Sequence, residues 1–251
     1  MKTAGLVSIS FRKNSPEEIV SACQKAGLSW IEWGSDVHCP EKDPKKASEI
    51  RKMCEEAGIS TRSYGSYFRL GQGGPESFKP YIEAAKALGS DIIRIWAGTK
   101  ASGSLTRDER KVLEEEARII SEMAGDAGIK IGMECHSGTI TDEYHSAKDF
   151  ILSVGHPALR MYWQPSQFHT DTYNIDACRT LAPLTEVVHV FHWLVNARLP
   201  LEEGRDIWTQ YLKIYDEGHF NPAYLLEFMH DDNIETLQHT AEVLKSWLQP
   251  V

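Results

Sequence analysis

Glu134 and His136 lie two residues apart at the end of a short apolar segment, Ile129–Met133. In an extended strand, residues at this spacing point to the same face. A carboxylate and an imidazole are costly to bury unless something pairs with them, and a metal ion or a polar substrate would do so. The alternative is a strand end whose polar residues meet only water, and these two residues do not decide between the readings.

Three later apolar segments also end in residues that could bind a metal, which are Gln164, His192 and Glu227. If the segments are neighbouring parallel strands, they and Glu134 present oxygen, oxygen, nitrogen and oxygen donors together. This donor set suits a divalent ion such as Mn²⁺, Mg²⁺, Co²⁺ or Zn²⁺. The two glutamates are also candidates for acid–base catalysis.

Each of these residues has a structural alternative. His192 could be a core histidine bonded to a backbone carbonyl, and Gln164 could satisfy loop amides. Glu227 lies between Leu226 and Phe228, where an unpaired carboxylate would be costly, so a functional role is favoured. His189 is predicted to face outward, on the opposite side of the strand from His192.

Other residues near the predicted strand ends could serve structure or substrate. Thr141 and Asp142 precede a predicted helix and are interpreted as its N-cap. Glu32 and Arg94 are expected to face inward, where they could pair with each other or contact a substrate. Aromatic side chains at these ends could line a sugar-binding pocket; they are Trp33, Tyr64, Tyr67, Trp96, Trp163 and Trp193.

The elements that would position these residues follow a repeated pattern of helix, glycine and short apolar strand. The glycines of the pattern, Gly27, Gly58, Gly89 and Gly128, are 31, 31 and 39 residues apart. A glycine directly after a helix is typical of a left-handed C-terminal cap. Helix starts are predicted at the capping boxes of Ser15 and Thr106, and at Asp43 and Asp232.

Eight predicted strands alternate with helices, which indicates a parallel sheet. At 251 residues, the chain has the size of a (β/α)₈ TIM barrel. A doubly wound open sheet is the alternative, but the first strand is not followed by a Gly-x-Gly-x-x-Gly motif and no Walker loop is found. We therefore predict one α/β domain over residues 1–251, with the site at the carboxyl ends of the strands.

Composition restricts the function classes. The chain is 41% hydrophobic and 25% charged, with a net charge of −9. The negative charge disfavours nucleic acid as a partner, and no apolar segment approaches the roughly 18 residues needed to span a membrane. The N-terminus does not resemble a secretory signal. Five scattered cysteines without a Cys-x-x-Cys motif favour reduced thiols and a cytoplasmic protein.

Motifs along nearly the whole chain resemble those of the xylose isomerase-like TIM-barrel superfamily, and more narrowly its sugar phosphate isomerase/epimerase branch. The motifs are Ile31–Gly34 followed by Asp36–His38, Ser63–Tyr67, Arg94–Gly98, Glu134–His136 with Thr141–Asp142, Tyr162–Pro165, His189–Trp193 and Leu226–Phe228.

This resemblance implies one divalent metal ion held by Glu, Asp, His and Glu at the ends of the fifth to eighth strands. Three of these ligands carry over to Glu134, His192 and Glu227. Gln164 replaces the Asp, so the ligands carry less negative charge and weaker metal binding is expected.

The substrate contacts that the resemblance implies match less well. Arg198 lies at the position of an arginine that contacts the substrate in ketose 3-epimerases. Ile140 and Gln167 replace a glutamate and a histidine of those enzymes. The expected substrate-binding residues are His136, Arg198, Trp96, Arg94, Glu32, His38, Tyr67 and Trp163.

The implied activity is isomerisation or epimerisation of a sugar or sugar phosphate through an enediolate, with Glu134 and Glu227 as acid and base. The alternatives are a dehydratase acting on a keto-inositol and a non-catalytic carbohydrate-binding barrel. A three-zinc endonuclease would need more His and Asp ligands than the chain offers. The expected partner is a small sugar or polyol, and a homo-oligomer is conceivable.

Overall fold

Eight parallel strands form a closed barrel with helices between them, in a computed structural model that describes residues 2–249. This confirms the predicted (β/α)₈ fold. The barrel strands are β1 (Thr3–Val7), β2 (Trp30–Gly34), β3 (Ser60–Arg69), β4 (Ile92–Trp96), β5 (Lys130–Glu134), β6 (Leu159–Trp163), β7 (Thr185–Val190) and β10 (Ala223–Leu226). Between β7 and β10, the short strands β8 (Trp193–Leu194) and β9 (Ala197–Arg198) pair as an antiparallel hairpin.

The helices surround the barrel and begin and end largely where the sequence predicts. They are α1 (Pro16–Ala26), α2 (Pro44–Glu56), α3 (Lys79–Leu88), α4 (Arg107–Asp126), α5 (Tyr144–Val154), α6 (Asp171–Leu181), α7 (Arg205–Glu217) and α8 (Leu237–Leu248). Ser15 and Thr106 each form both bonds of a capping box, and Asp43 accepts a bond from the Lys46 amide. Gly27 and Gly89 cap α1 and α3 in the left-handed conformation.

Two predicted helix starts are wrong. A 3₁₀ turn, Ile234–Thr236, delays α8 and is capped by Asn233 rather than Asp232. The N-cap of α5 is Glu143, whose carboxylate accepts bonds from two amides of the first turn. Thr141 instead donates its hydroxyl to the carbonyl of Glu134, and so fixes the end of β5.

The barrel strands separate two apolar layers. One layer fills the barrel interior and includes Val7, Ile92, Tyr162, Val187 and Leu225. The other, larger layer packs the outer faces of the strands against the helices. Alternate residues of a strand face opposite sides. A side chain can therefore reach the interior only if its residue lies on the inward-facing side of this alternation.

Gly132, in the middle of β5, makes room for an interior aromatic ring. A Cβ atom built on Gly132 would lie 2.2 Å from two ring carbons of Tyr162. We expect Gly132→Ala to lower the free energy of unfolding by about 1–3 kcal/mol, because the ring must move within a packed core. Urea denaturation of metal-free protein measures the loss. The matched control is Gly103→Ala, whose added Cβ would meet no atom within 4 Å. Equal stability of the two variants would contradict the proposed role of Gly132 in making room for Tyr162.

Two further sequence expectations concern the environment of the chain. All five cysteines are free thiols, and four of them are buried. Among residues 2–249, none of the helices is both long and apolar enough to cross a membrane.

Candidate active site

Glu134, His189 and Glu227 meet at the carboxyl end of the barrel. Each offers a ligand atom, and these atoms all lie within 4.8 Å of one another. His189 Nδ1 is 3.3 Å from Glu227 Oε2 and 3.7 Å from Glu134 Oε1. All three side chains are buried. Two carboxylates therefore face one imidazole nitrogen inside the protein.

The histidine of this group is His189, whereas the sequence reasoning placed His192 there. His189 is completely buried and faces the interior together with Val187, two residues before it in β7. The prediction that His189 packs outward is wrong. It assumed that His192 faces the interior and therefore assigned His189 to the opposite face of the strand. The strand ends at Val190, and the ring of His192 lies beyond it, next to the backbone of Gly204.

Gln164 supplies a fourth donor beside the three ligand atoms. Its side-chain nitrogen donates to the carbonyl of Cys135 at 2.8 Å. This bond directs the amide oxygen to His189 Nδ1, 3.1 Å away. Gln164, which stands where the sequence resemblance implies an aspartate, therefore presents its oxygen to the cluster.

Arg94 connects the cluster to the barrel interior. Its guanidinium forms ion pairs with Glu134 and with Glu32, the latter at 3.3 Å from the Arg94 Nε atom. Of the two roles considered for Glu32 and Arg94, the structure shows that they pair with each other. Trp96 also donates its indole N–H to the Glu134 oxygen that receives Arg94. Two donors from β4 therefore hold one oxygen of Glu134, and its other oxygen faces His189.

The charges of the cluster set the protonation of its members. Burial alone would raise the pKa of Glu134, but Arg94 and His189 outweigh it and hold this pKa well below its usual range. Burial would lower the pKa of His189, yet Glu227 and Glu134 raise it to about 10. The pKa of Glu32 is raised by its complete burial, against the opposing charges of His189 and Arg94. In the absence of a metal ion, Glu134 is thus ionised and His189 is protonated.

A cavity of about 700 Å³ opens above this cluster. Besides Glu134 and Glu227, it is lined by six more of the predicted metal- and substrate-binding residues, namely Tyr67, Arg94, Trp96, His136, Trp163 and Gln164. Four others, Glu32, His38, His192 and Arg198, are not among its lining residues. The structure therefore gathers most of the predicted site residues around one space.

Of the residues outside the lining, His38 and Arg198 have structural partners of their own. His38 is buried, with one ring nitrogen 3.0 Å from Ser8 Oγ and the other 3.2 Å from the carbonyl of Asn14. These contacts join His38 to Ser8 and Asn14, which follow β1, and it lies outside the cavity lining. Arg198 pairs with Asp232 at the rim and lies over the ring of Phe228.

Arg12 and Phe228 are among the residues that line the cavity and that sequence reasoning missed. Arg12 pairs with Asp36 at 3.0 Å and donates to the hydroxyl of Tyr67. Phe228 directly follows Glu227 and has a positive φ of 48°, which is uncommon for a bulky residue. Its amide donates to Ser10 Oγ at 2.9 Å. A bulky residue at positive φ gives no signal in a single sequence.

The donor set fits a divalent metal ion. Carboxylate oxygens, an imidazole nitrogen and an amide oxygen are the ligands that ions such as Mn²⁺ and Zn²⁺ use in proteins. Glu134 Oε1, His189 Nδ1, Glu227 Oε2 and Gln164 Oε1 all converge on one region. The opposite ring nitrogen, His189 Nε2, faces Glu32 Oε1 at 3.8 Å. A second carboxylate behind a ligating histidine is a frequent arrangement in metal sites, so the cluster could hold a metal ion.

Comparison with known proteins agrees with this architecture. A family model described as a xylose isomerase-like TIM barrel matches residues 20–247. The chain belongs to the xylose isomerase-like TIM-barrel family. The resemblance seen in the sequence motifs is thereby confirmed at the level of the family. A curated protein similar to this chain is the 3-dehydroshikimate dehydratase of Bacillus anthracis, which is 25% identical over 167 residues. That match covers 62% of this chain and 59% of the relative.

Solved structures of other xylose isomerase-like proteins are similar over nearly the whole chain. The probable 3-DHS dehydratase AsbF of Bacillus anthracis superposes with a TM-score of 0.80 at 19% identity, covering 98% of this chain and 99% of that one. L-ribulose 3-epimerase superposes with a TM-score of 0.76 at 14% identity, covering 99% and 95% of the two chains. D-psicose 3-epimerase gives 0.73 at 16% identity, covering 98% of each chain. At these identities, the likeness establishes the fold alone.

Proposed function

We propose that this chain is a metal-dependent enzyme that removes a proton from the carbon next to the carbonyl group of a hydroxylated ketone, such as a keto sugar or a cyclic keto polyol. The observation that carries the proposal is the convergence of Glu134, His189 and Glu227 within 4.8 Å beside a cavity of about 700 Å³. A bound divalent ion would stabilise the negative charge that develops on the carbonyl oxygen.

Glu227 is the base in this proposal. Glu134 is held by Arg94 and Trp96, so protonating it would disrupt two charge-assisted bonds. Within the described chain, Glu227 receives no such pair of donors; its carboxylate faces His189 at 3.3 Å. Glu134 therefore serves as a fixed anion that binds and orients, and Glu227 is the carboxylate that can take up a proton.

Elimination of water is the reaction that this difference between Glu134 and Glu227 favours. Glu227 takes the proton from carbon, the electrons of the C–H bond form the new C=C bond, and the C–O bond to a neighbouring hydroxyl breaks. His136 lines the cavity, and its Nδ1 atom lies 2.8 Å from the carbonyl of Ser137. In this proposal its other nitrogen, Nε2, gives a proton to the departing hydroxyl, which leaves as water. The dehydratase activity in the name of the curated relative supports this choice.

Isomerisation or epimerisation of a sugar is the second candidate, through an enediolate with both glutamates as acid and base. It is favoured by the placement of the two carboxylates around a single imidazole nitrogen, at 3.3 and 3.7 Å, and by the epimerases among the similar structures. The second proton transfer would require Glu134 to become protonated, which Arg94 opposes. The stereochemistry and the mass of the product distinguish the candidates.

Metal affinity in this proposal depends on pH, because His189 must lose a proton before it can ligate. Its pKa is raised to about 10 by the two glutamates. We therefore expect the dissociation constant for Mn²⁺ to fall by about tenfold for each unit of pH between 6 and 9. Titration followed by electron paramagnetic resonance measures the free ion. His189→Gln should bind Mn²⁺ more weakly and lose this slope; a pH-independent affinity of the wild type would remove His189 from the ligand set.

Hydrogen–deuterium exchange tests the proposal without knowledge of the final product. A panel of ketoses, keto-inositols and cyclic hydroxy-ketones is incubated with the protein in D₂O, with added Mn²⁺ or with EDTA. Proton NMR then follows the signal of the C–H group next to the carbonyl. The proposal predicts exchange or elimination in at least one compound with Mn²⁺ and its loss in EDTA. Absence of both reactions across the panel, from protein that binds Mn²⁺, would favour a non-catalytic binding protein.

A further inference from the structure

The cavity extends well beyond the charged cluster. Away from Glu134 and Glu227, it continues between the loop after β5 and the loop after β6. Among the polar loop residues that line it there, four side chains carry aromatic rings, which are Tyr144, Phe168, His169 and Tyr173. The cavity thus has a charged end, where the proposed reaction takes place, and an aromatic end.

The rings at the aromatic end hold one another in place. His169 stacks nearly parallel on Tyr173, with ring centroids 3.9 Å apart and planes at 17°. Tyr144 meets Tyr173 edge to face at 5.0 Å. Because each ring restricts its neighbour, this part of the lining is preorganised.

Phe168 is the exposed member of this group. Its relative exposure is 57%, although it lies at the edge of a cavity rather than on an open helix face. A single exposed apolar side chain is ordinary on a protein surface. Here the exposed ring continues a lining that already contains Tyr144 and Tyr173, which favours contact with a ligand.

The volume of the cavity agrees with a ligand larger than one sugar ring. Its size of about 700 Å³ is in the upper half of the range of roughly 300–1,000 Å³ that is usual for sites binding drug-sized molecules. A monosaccharide bound at the charged end would leave the aromatic end filled with water. Burying apolar rings against a second ring would release that water and stabilise the complex.

We propose that the substrate carries an aromatic ring attached to the sugar or polyol, and that Tyr144, Phe168, His169 and Tyr173 form a subsite for this ring. The assignment of the reacting end rests on the proposed function, whereas the aromatic subsite rests on the ring geometry. The substrate class is then an aryl-substituted keto sugar or keto polyol rather than a free monosaccharide.

Binding of two unreactive probes tests the subsite. Phenyl β-D-glucopyranoside and methyl β-D-glucopyranoside share the sugar and differ in the aromatic ring, and neither is a ketone. Isothermal titration calorimetry of the Mn²⁺-loaded protein should give an affinity at least about tenfold higher for the phenyl compound, as burial of an added aromatic ring implies. Phenyl and methyl probes that bind equally, including no detectable binding of either, would overturn the proposal.

Variants locate the preference on the proposed residues. Tyr173→Ala and Phe168→Ala should each reduce the advantage of the phenyl probe by about threefold or more, while the affinity for the methyl probe stays unchanged. Leu152→Ala is the matched control for Phe168→Ala, because Leu152 is 60% exposed on the outer helix α5. An advantage that survives both aromatic variants would overturn the assignment. Failure of the exchange reaction alone would contradict the proposed function and leave the subsite standing.

Discussion

Glu227→Gln should reduce metal-dependent proton exchange of the substrate by about 10²–10⁴-fold, the contribution typical of a general base. The amide keeps an oxygen that can face the metal, but it cannot accept the proton from carbon. Exchange of the C–H signal in D₂O, measured at saturating Mn²⁺, gives the rate directly. A measured Mn²⁺ affinity for each variant separates lost catalysis from lost metal.

Two comparisons make this result specific to Glu227. Glu134→Gln should weaken Mn²⁺ binding yet keep a larger share of the exchange rate at saturating metal, because Glu134 is the fixed anion of the pair. Glu116→Gln is the matched control: Glu116 is also a buried glutamate, but its carboxylate accepts the Gly71 amide, away from the cavity. Full exchange activity of Glu227→Gln, or equal losses in Glu116→Gln, would contradict its role as base.

The barrel could be predicted because each of its units carries local signals. The capping boxes at Ser15 and Thr106 act through bonds within four residues, so a single sequence contains all the information needed to place them. Gly27 and Gly89 likewise adopt the positive φ that favours glycine after a helix. Alternation of such units with apolar segments then leaves few arrangements other than a parallel barrel.

The two glutamates of the site could also be predicted, but the histidine could not. Glu134 and Glu227 each follow an apolar segment directly, where a carboxylate is costly without a partner. In β7, by contrast, the nearest neighbours of His189 are Val187, Val188 and Val190. Valine occurs both in the interior and against the helices. The pairing of β7 with β10, where Leu225 lies opposite His189, determines which side chains of β7 face the interior. No local sequence pattern reveals this register.

The contact between Arg94 and Glu134 was missed for a related reason. The two residues lie 40 positions apart, and the expected partner of Arg94 was Glu32 alone. Neighbouring strands β4 and β5 bring them together, since Arg94 lies opposite Gly132, two residues before Glu134. Gly65, opposite Arg94 in β3, leaves space for the other carboxylate: a Cβ there would be 2.8 Å from Glu32 Oε1. The arginine therefore bridges two carboxylates that belong to different strands.

Arg94→Met should destabilise the metal-free protein by about 3–5 kcal/mol at pH 7.5, as expected when one member of a buried ion pair is removed. Methionine fills much of the space of arginine but leaves Glu32 and Glu134 without the guanidinium that pairs with both. Urea denaturation in EDTA measures the free energy of unfolding. The control is Arg179→Met, since Arg179 and Asp176 form a surface pair with side chains 64% and 51% exposed; exposed pairs contribute about 0–1 kcal/mol.

The pH dependence distinguishes loss of charge pairing from loss of packing. In the wild type, the pKa of Glu134 is held below its usual value, so its contribution to stability is present above pH 4.5 and declines as the pH falls through the lowered pKa. Without Arg94, burial is opposed mainly by His189, so the pKa of Glu134 rises relative to the wild type. The variant therefore gains less stability from the ionised carboxylate, and its deficit shrinks once that carboxylate gains a proton. The stability gap between wild type and Arg94→Met should therefore narrow as the pH falls from 7.5 into the acidic range where Glu134 of the variant gains a proton. Adding Glu134→Gln to the variant should recover part of the loss at pH 7.5. A gap that is constant with pH, or no larger than that of Arg179→Met, would mean that Arg94 acts by packing and that Glu134 does not depend on it for its charge.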